Sequence, residues 1–150
     1  MDGGTFSKVE KSSKAMYGPR GILVCGYTKE EQKAFASVLK KIQMSDIPVS
    51  FPGDADAPKT LKTLLEKTET GDTKHSSLRR AVVMSGLTQT ELHNLIGSHR
   101  ESGLPYPLWA SLTPVSENWP LKDLLEALEQ EAMALKKRRE AEKADTVKQT

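Results

Sequence analysis

Two short loops carry residue types that can bind small anions. Each has a glycine followed two residues later by a threonine, in the sequences Cys-Gly-Tyr-Thr and Ser-Gly-Leu-Thr. A glycine lets the backbone turn sharply from a strand into a helix, and the free amides at a helix N-terminus bind phosphate or carboxylate groups. The candidate ligand-binding residues are therefore Cys25, Gly26, Thr28, Ser85, Gly86 and Thr88.

The same loops also have a structural interpretation that needs no ligand. Glu31 lies three residues after Thr28, and Glu91 lies three residues after Thr88. This Thr-x-x-Glu spacing is typical of a capping box, in which the two side chains satisfy the helix amides themselves. The glutamate charge would also repel an anion, so the spacing favours capping over anion binding.

Cys25 could act as a thiolate nucleophile, because a nearby helix N-terminus lowers the pKa of a thiol. No base for it can be identified, and cysteine is also a common small core residue. It is the only cysteine, which excludes an intramolecular disulfide and a cysteine-based zinc site. His93 and His99 are six residues apart, so they do not share a helix face as ligands four apart would. The motifs GxGxxG, GxxxxGKS/T and GxSxG are absent, and the sequence predicts no catalytic residue, metal or cofactor.

Two tryptophans and one basic run are the candidate partner-binding residues. Trp109 and Trp119 bracket the turn-rich segment LTPVSEN, where they could form an exposed anchor or cover the end of a core. The only dense basic run could contact RNA, an acidic partner or a nuclear import receptor. Cations also suit a helix C-terminus, so an exposed helix without a partner is the alternative interpretation. The run consists of Lys136, Lys137, Arg138 and Arg139.

Composition places the chain among polar globular proteins. Its 150 residues are 37% hydrophobic and 28% charged, which suits one domain with one sizeable core. The net charge of +2 makes nucleic-acid binding a possibility that is not favoured. No apolar run approaches the roughly 20 residues of a membrane span, and no secretory signal is visible. A reducing compartment fits the single cysteine, so we expect the cytoplasm, or the plastid stroma if this is a plant protein whose transit peptide was removed.

Hydrophobic patterns predict the elements that position these residues. Short apolar runs predict strands at residues 21–27, 47–51, 80–85 and 108–112. A helix follows each strand, and Pro48 favours an edge position for the second strand because proline lacks an amide donor. We divide the chain into a flexible arm (1–19), one α/β domain (20–135) and a charged C-terminal extension (136–150).

The domain contains two similar units, at residues 20–70 and 80–135. When the sequence is shifted so that Arg20 falls on Arg80, both candidate loops superimpose. The same shift places the segment LKTLLE at 61–66 on LKDLLE at 121–126, without a gap. Two separate matches at one offset favour a duplicated βαβα unit over coincidence.

Two such units predict an α/β fold with one four-stranded, mostly parallel sheet of order 2-1-3-4. Helices cover its faces, and the last helix is long. A ferredoxin-like sandwich with antiparallel neighbours is the alternative. In an open parallel sheet, ligands bind beyond the carboxyl ends of the strands at the switch point. This fold therefore predicts that Gly26 lies beside Gly86 in one crevice.

The second unit also resembles a known family. Residues 79–131 contain RRAVVMSGLTQTELHNLI and then PLWASLTPVSENWPLKDLLEALEQE. An apolar strand ending in Ser-Gly-Leu, a helix, a Leu-Thr-Pro strand end and a Trp-Pro-Leu helix entry resemble a family of small α/β domains of unknown function found in bacteria, archaea and plants. The resemblance implies the fold and no particular reaction.

These observations predict a non-catalytic module that acts through a protein partner or a multisubunit complex, as an assembly or regulatory subunit. Its expected contact elements are the long C-terminal helix and the turn between the tryptophans. A sensor of a small anion or nucleotide at the Gly26/Gly86 crevice is the alternative. An enzyme that uses Cys25 is the third hypothesis.

Overall fold

The computed structural model describes residues 14–66 and 77–149, with side chains described as far as residue 142. Within these ranges, four strands form one sheet of order β2-β1-β3-β4, and four α-helices cover it. The strands are β1 (Gly21–Cys25), β2 (Val49–Ser50), β3 (Ala81–Ser85) and β4 (Leu108–Ser111). The helices are α1 (Lys29–Lys41), α2 (Leu61–Glu66), α3 (Gln89–Glu101) and α4 (Leu121–Gln149). The predicted α/β class, strand order and long last helix are confirmed, whereas most of the predicted N-terminal arm lies outside the described residues.

The sheet is mostly parallel, as predicted, but its two halves run in opposite directions. Strand β1 is parallel to β2, and β3 is parallel to β4. The central pair is antiparallel, with Gly21 opposite Ser85 and Cys25 opposite Ala81. The expected parallel switch point between β1 and β3 was therefore wrong. A two-fold axis perpendicular to a sheet reverses the strands on either side of it, so the two parallel halves meet in an antiparallel pair.

Helices cover both faces of the sheet because successive strand residues point to opposite faces. Ile22 and Val24 pack with α1 and α3 on one face. Leu23 and Cys25 pack with α2 and the start of α4 on the other. All five residues of β1 and of β3 are buried, which explains why these strands are apolar throughout rather than alternating.

The contacts of the first unit recur in the second under the sequence shift that aligns the two units. At the centre of the sheet, Leu23 lies opposite Val83. The shift that aligns the two units turns the pair on one side, Ile22 with Met84, into the pair on the other side, Val82 with Val24. The outer pairs follow the same rule, with Ile22 opposite Val49 and Val82 opposite Trp109. An approximate two-fold axis therefore passes between Leu23 and Val83.

The entries to α2 and α4 are joined across the same axis. The amide of Leu61 donates to the carbonyl of Trp119 at 3.0 Å, and the amide of Leu121 donates to the carbonyl of Lys59 at 2.8 Å. These two hydrogen bonds flank the isolated bridge between Thr60 and Pro120. Each unit thus satisfies an N-terminal helix amide of the other.

Candidate functional site

The two glycine loops lie at opposite ends of the central strand pair. Gly26 follows β1 and lies beside Arg80, which precedes β3. Gly86 follows β3 and lies beside Arg20, which precedes β1. With about 3.3 Å per strand residue, a five-residue strand separates the loops by roughly 13 Å or more. The predicted common crevice was therefore wrong, because antiparallel pairing places the carboxyl ends of β1 and β3 at different edges.

Close approach of the backbone, rather than a ligand, accounts for both glycines. Gly26 has a φ of +74° and Gly86 a φ of +67°, in the left-handed region that favours glycine. A Cβ on Gly26 would lie 2.8 Å from the amide nitrogen of Arg80 and would overlap the carbonyl of Leu78. A Cβ on Gly86 would lie 2.7 Å from the carbonyl of Gly18. Each glycine thus lets the turn after the first strand of one unit lie directly against the backbone that leads into the first strand of the other unit.

Both predicted capping boxes are present. The hydroxyl of Thr28 accepts from the amide of Glu31 at 3.2 Å, and the Glu31 carboxylate accepts from the amide of Thr28 at 2.9 Å. The equivalent bonds between Thr88 and Glu91 measure 3.1 and 3.0 Å. The side chains therefore already satisfy amides that an anion would need.

Each capping glutamate also binds an arginine of the other unit. Arg80 donates to the carboxylate of Glu31 at 2.8 Å, and Arg20 donates to both carboxylate oxygens of Glu91 at 2.7 and 2.5 Å. The arginine hydrogen bond is the main cause that lowers the pKa of each glutamate. The sequence offset between the units aligns the two arginines, but no local pattern in the sequence indicates their partners. The structure identifies them as the charges that join the units and neutralise both capping boxes.

Two of the candidate ligand-binding side chains are enclosed in the core. Cys25 is 0% exposed, and burial raises the pKa of its thiol to about 12. A thiol in this state is protonated near neutral pH and is a poor nucleophile. Ser85 is also 0% exposed. Neither side chain is available to a molecule in solution in this conformation.

A buried cluster of aromatic rings surrounds His99, a residue that the sequence analysis considered only as a metal ligand. The hydroxyl of Tyr27 lies 2.7 Å from Nε2 of His99, and the guanidinium of Arg80 lies 4.8 Å from the centre of the Tyr27 ring. Burial, and secondly the charge of Arg80, lower the pKa of His99. The rings of Phe35 and Trp109 also pack against His99, at centroid distances of 6.1 and 5.3 Å. This cluster stabilises the core beneath α3. The sequence signal for it is the position of His99 four residues after the buried Leu95, on the apolar face of the same helix.

The two candidate tryptophans have different environments. Trp109 is partly buried and packs between His99 and Tyr106, so it covers the core. Trp119 is 39% exposed, while its backbone is held by hydrogen bonds to Ser116 and Leu61. Trp119 lines a shallow hollow of about 320 Å³ together with Asp123 and Glu126. Of the two, therefore, Trp119 lies where a partner could contact it.

Helix α4 is packed along its first turns and exposed beyond them. Leu121, Leu124 and Leu125 are buried against the sheet. Further along, Met133 is 54% exposed and Leu135 is 49% exposed. The predicted basic run follows at once, and its four side chains, Lys136, Lys137, Arg138 and Arg139, are all exposed.

Within the described ranges, no group of three His, Cys, Asp or Glu side chains is placed to hold a metal ion. Among the described helices, none is both long and apolar enough to cross a membrane.

Comparison with protein families finds a match for part of the chain. Residues 80–135 match the model of DUF3783, a domain of unknown function. The match begins just before β3 and ends within α4, so it covers one unit of the chain. No curated protein and no solved structure matches the chain.

Proposed function

We propose that the protein is a non-catalytic interaction module, an assembly or regulatory subunit that a protein partner holds through α4. The observation that carries this proposal is the exposed apolar continuation of α4. Met133 and Leu135 project from a part of the helix that lies beyond its packed turns. Because residues two apart on a helix point to different sides, Leu135 rather than Met133 can extend the packed face of α4. An exposed large apolar side chain that continues a packed face is typical of an interaction site, and an isolated helix gains little stability in water without packing.

The spacing of the apolar residues supports one continuous contact face. Leu121, Leu125 and Leu128 recur at intervals of three and four residues and pack on the sheet. The same intervals continue to Ala132 and Leu135. A partner helix could therefore pack against this apolar stripe beyond Leu128, where α4 no longer contacts the sheet.

Charge indicates the kind of partner. The exposed run Lys136–Arg139 would attract an acidic surface, and Trp119 offers a second contact at the other end of the packed segment. Nucleic acid is less favoured, because the preceding turns of α4 contain the exposed acids Asp123, Glu126, Glu129 and Glu131. The proposed location in the cytoplasm or plastid stroma stays a prediction.

The two other hypotheses lose their structural basis. An anion or nucleotide sensor would need one crevice shared by Gly26 and Gly86, which antiparallel pairing separates. An enzyme that uses Cys25 would need an exposed thiolate, whereas this thiol is enclosed and its pKa is raised.

We further infer that the chain joins two copies of one βαβα unit. The constant sequence offset between the units, the reciprocal arginine–glutamate pairs and a family match that spans one unit all support this origin. A single unit would leave β1 or β3 as an unpaired edge strand, which is prone to association. Pairing two units removes that edge from solvent.

The test is affinity capture with quantitative mass spectrometry from cells of the source organism. Leu135→Glu places a charge on the exposed stripe, and Lys62→Glu is the matched control, because Lys62 is exposed on α2 of the same sheet face. We expect the intact chain and Lys62→Glu to capture the same partner proteins, and Leu135→Glu to capture none of them. Circular dichroism should show that all three proteins are folded. Equal capture by Leu135→Glu and the control would contradict the role of α4.

A further inference from the structure

An apolar groove lies beside β2, on the face of the sheet that α1 covers. Its volume is about 290 Å³, and Phe35, Ala36 and Leu39 of α1 form one wall. Ile47, Val49 and Phe51 form the other wall along the edge strand. This volume is at the lower limit of known ligand pockets, so the groove suits one large side chain better than a cofactor.

The second unit fills the corresponding place with its own side chains. The register places Trp109 opposite Val82 as it places Val49 opposite Ile22, so Trp109 is the counterpart of Val49. On the helix, Ile96 is the counterpart of Ala36 at the same offset between the units. At these two positions the second unit has the larger residue. At two other lining positions it has the smaller one, with Leu95 in place of Phe35 and Ser111 in place of Phe51. Trp109 packs against His99 and Tyr106, and His99 is the counterpart of Leu39 in the wall of the groove. The second unit therefore places an indole ring at this position of the sheet, where the first unit has the smaller Val49 and an open groove.

Lysines give the rim of the groove a positive charge. Lys33 and Lys40 lie one turn before and one turn after Ala36, and both are exposed. One acid, Asp46, also stands at the rim, between the lining residues Ser45 and Ile47. It is 70% exposed and lies 3.7 Å from Arg20. An occupant that carries an aromatic side chain and acidic neighbours would complement both the shape and the charge of this site.

We propose that this groove binds an acidic peptide segment of a protein partner and takes up its aromatic side chain. The site is independent of α4, because α1 and the packed part of α4 cover opposite faces of the sheet. The occupant takes the place that Trp109 takes in the second unit. Its acidic residues contact Lys33 and Lys40.

The probe is a fluorescein-labelled pentapeptide in which two aspartates flank a tryptophan on each side, measured by fluorescence anisotropy with the full chain. Two control peptides replace the tryptophan by alanine or the aspartates by lysine. Ala36→Ile and Val49→Trp fill the groove with the residues of the second unit. Ser37→Ile is the matched control, because Ser37 is exposed on the same helix and does not line the groove. Amide shifts in a two-dimensional NMR spectrum locate the bound peptide.

We expect the acidic tryptophan peptide to bind and to shift the amides of Ala36 and Val49. Each groove-filling substitution should weaken binding by about thirtyfold or more, as for a buried hot-spot contact, whereas Ser37→Ile leaves it unchanged. Lys33→Glu with Lys40→Glu should weaken binding, and added salt should do the same. Because Ala36→Ile alters an exposed helix position, it keeps the test valid even if Val49→Trp fails to fold.

Several outcomes would overturn the proposal. These are no binding at millimolar peptide, equal binding of the alanine control peptide, equal binding of the lysine control peptide, or unchanged binding by Ala36→Ile. Self-association that Ala36→Ile abolishes would assign the groove to a second copy of the chain instead. Since none of these measurements uses the exposed part of α4, their failure leaves the proposed role of α4 to its own test.

Discussion

Substitution of Glu31 separates its two contributions to stability. Glu31→Gln keeps a side-chain oxygen that can accept from the Thr28 amide, but it removes the charge that binds Arg80. Glu31→Ala removes both contacts. Because the Arg80 and Glu31 side chains are only 23% and 19% exposed, the arginine left behind is poorly hydrated.

The structure sets the expected magnitudes. A hydrogen bond to a charged group contributes about 1.5–3 kcal/mol, and partial exposure reduces this to about 1–2 kcal/mol here. Loss of the cap in Glu31→Ala should cost about 1 kcal/mol more. For a chain of this size, 1 kcal/mol corresponds to about 2–4 °C in Tm. We therefore expect Glu31→Gln to lower Tm by about 3–6 °C and Glu31→Ala to lower it further.

The effect of Glu31→Gln should depend on pH. The hydrogen bond from Arg80 lowers the pKa of Glu31 in the folded protein. The ion pair therefore contributes its full stability above the unfolded pKa, near 4.3, and loses it as the pH falls through the folded value. The Tm difference between the intact chain and Glu31→Gln should be largest at pH 7 and should shrink below about pH 4.

Thermal and urea unfolding, followed by circular dichroism at several pH values, measure these differences. Glu30→Gln is the control, since Glu30 is exposed on the same turn; its effect should stay within about 0.5 kcal/mol. By the two-fold relation, Glu91→Gln should lower Tm in the same direction; its magnitude differs because Arg20 is 38% exposed and also lies 3.7 Å from Asp46. A Tm difference for Glu31→Gln that is unchanged at pH 3, or equal losses for the Gln and Ala variants, would refute this assignment of the two contacts.

Three further predictions concern the core. Gly26→Ala and Gly86→Ala should each reduce the free energy of unfolding by about 2–4 kcal/mol, because a strained φ adds to a steric clash; Gly97→Ala, in open space on α3, should raise it by up to about 1 kcal/mol in urea titrations. Trp109→Val should cost about 2–4 kcal/mol by removing core contacts, and an unchanged urea midpoint would contradict its packing role. Native Cys25 should resist iodoacetamide at pH 8 and react only as urea unfolds the chain, as followed by mass spectrometry; rapid labelling without urea would show that the thiol is accessible.

Local sequence patterns predicted the elements because each is encoded by neighbouring residues. The capping boxes of Thr28 and Thr88 need only four residues each, and the buried strands are continuous apolar runs. The direction in which β1 meets β3 has no such local code. An axis along the strands and an axis perpendicular to the sheet are both compatible with the order 2-1-3-4, but only the second makes the central pair antiparallel.

The candidate site was harder to predict for the same reason. The arginine–glutamate pairs join residues 49 and 71 positions apart, so they depend on the orientation of the units. The offset between the units did contain a usable signal, because it aligned both arginines and both glutamates. The groove beside α1 lies where the first unit has Ala36 and Val49 and the second unit has the larger Ile96 and Trp109. It could be recognised only after the register had aligned Val49 with Trp109.

The two-fold relation provides an internal control for separating folding from function. A feature that both units share, such as the capping boxes or the glycine turns, is what the common fold requires. A feature that only one unit has cannot be required by that fold, since the other unit folds without it. Two such differences are prominent in the described residues. The last helix of the second unit, α4, has 29 described residues against six for α2, and the first unit leaves open the groove beside α1, where the second unit places Trp109. Those two places are therefore where partners should be sought.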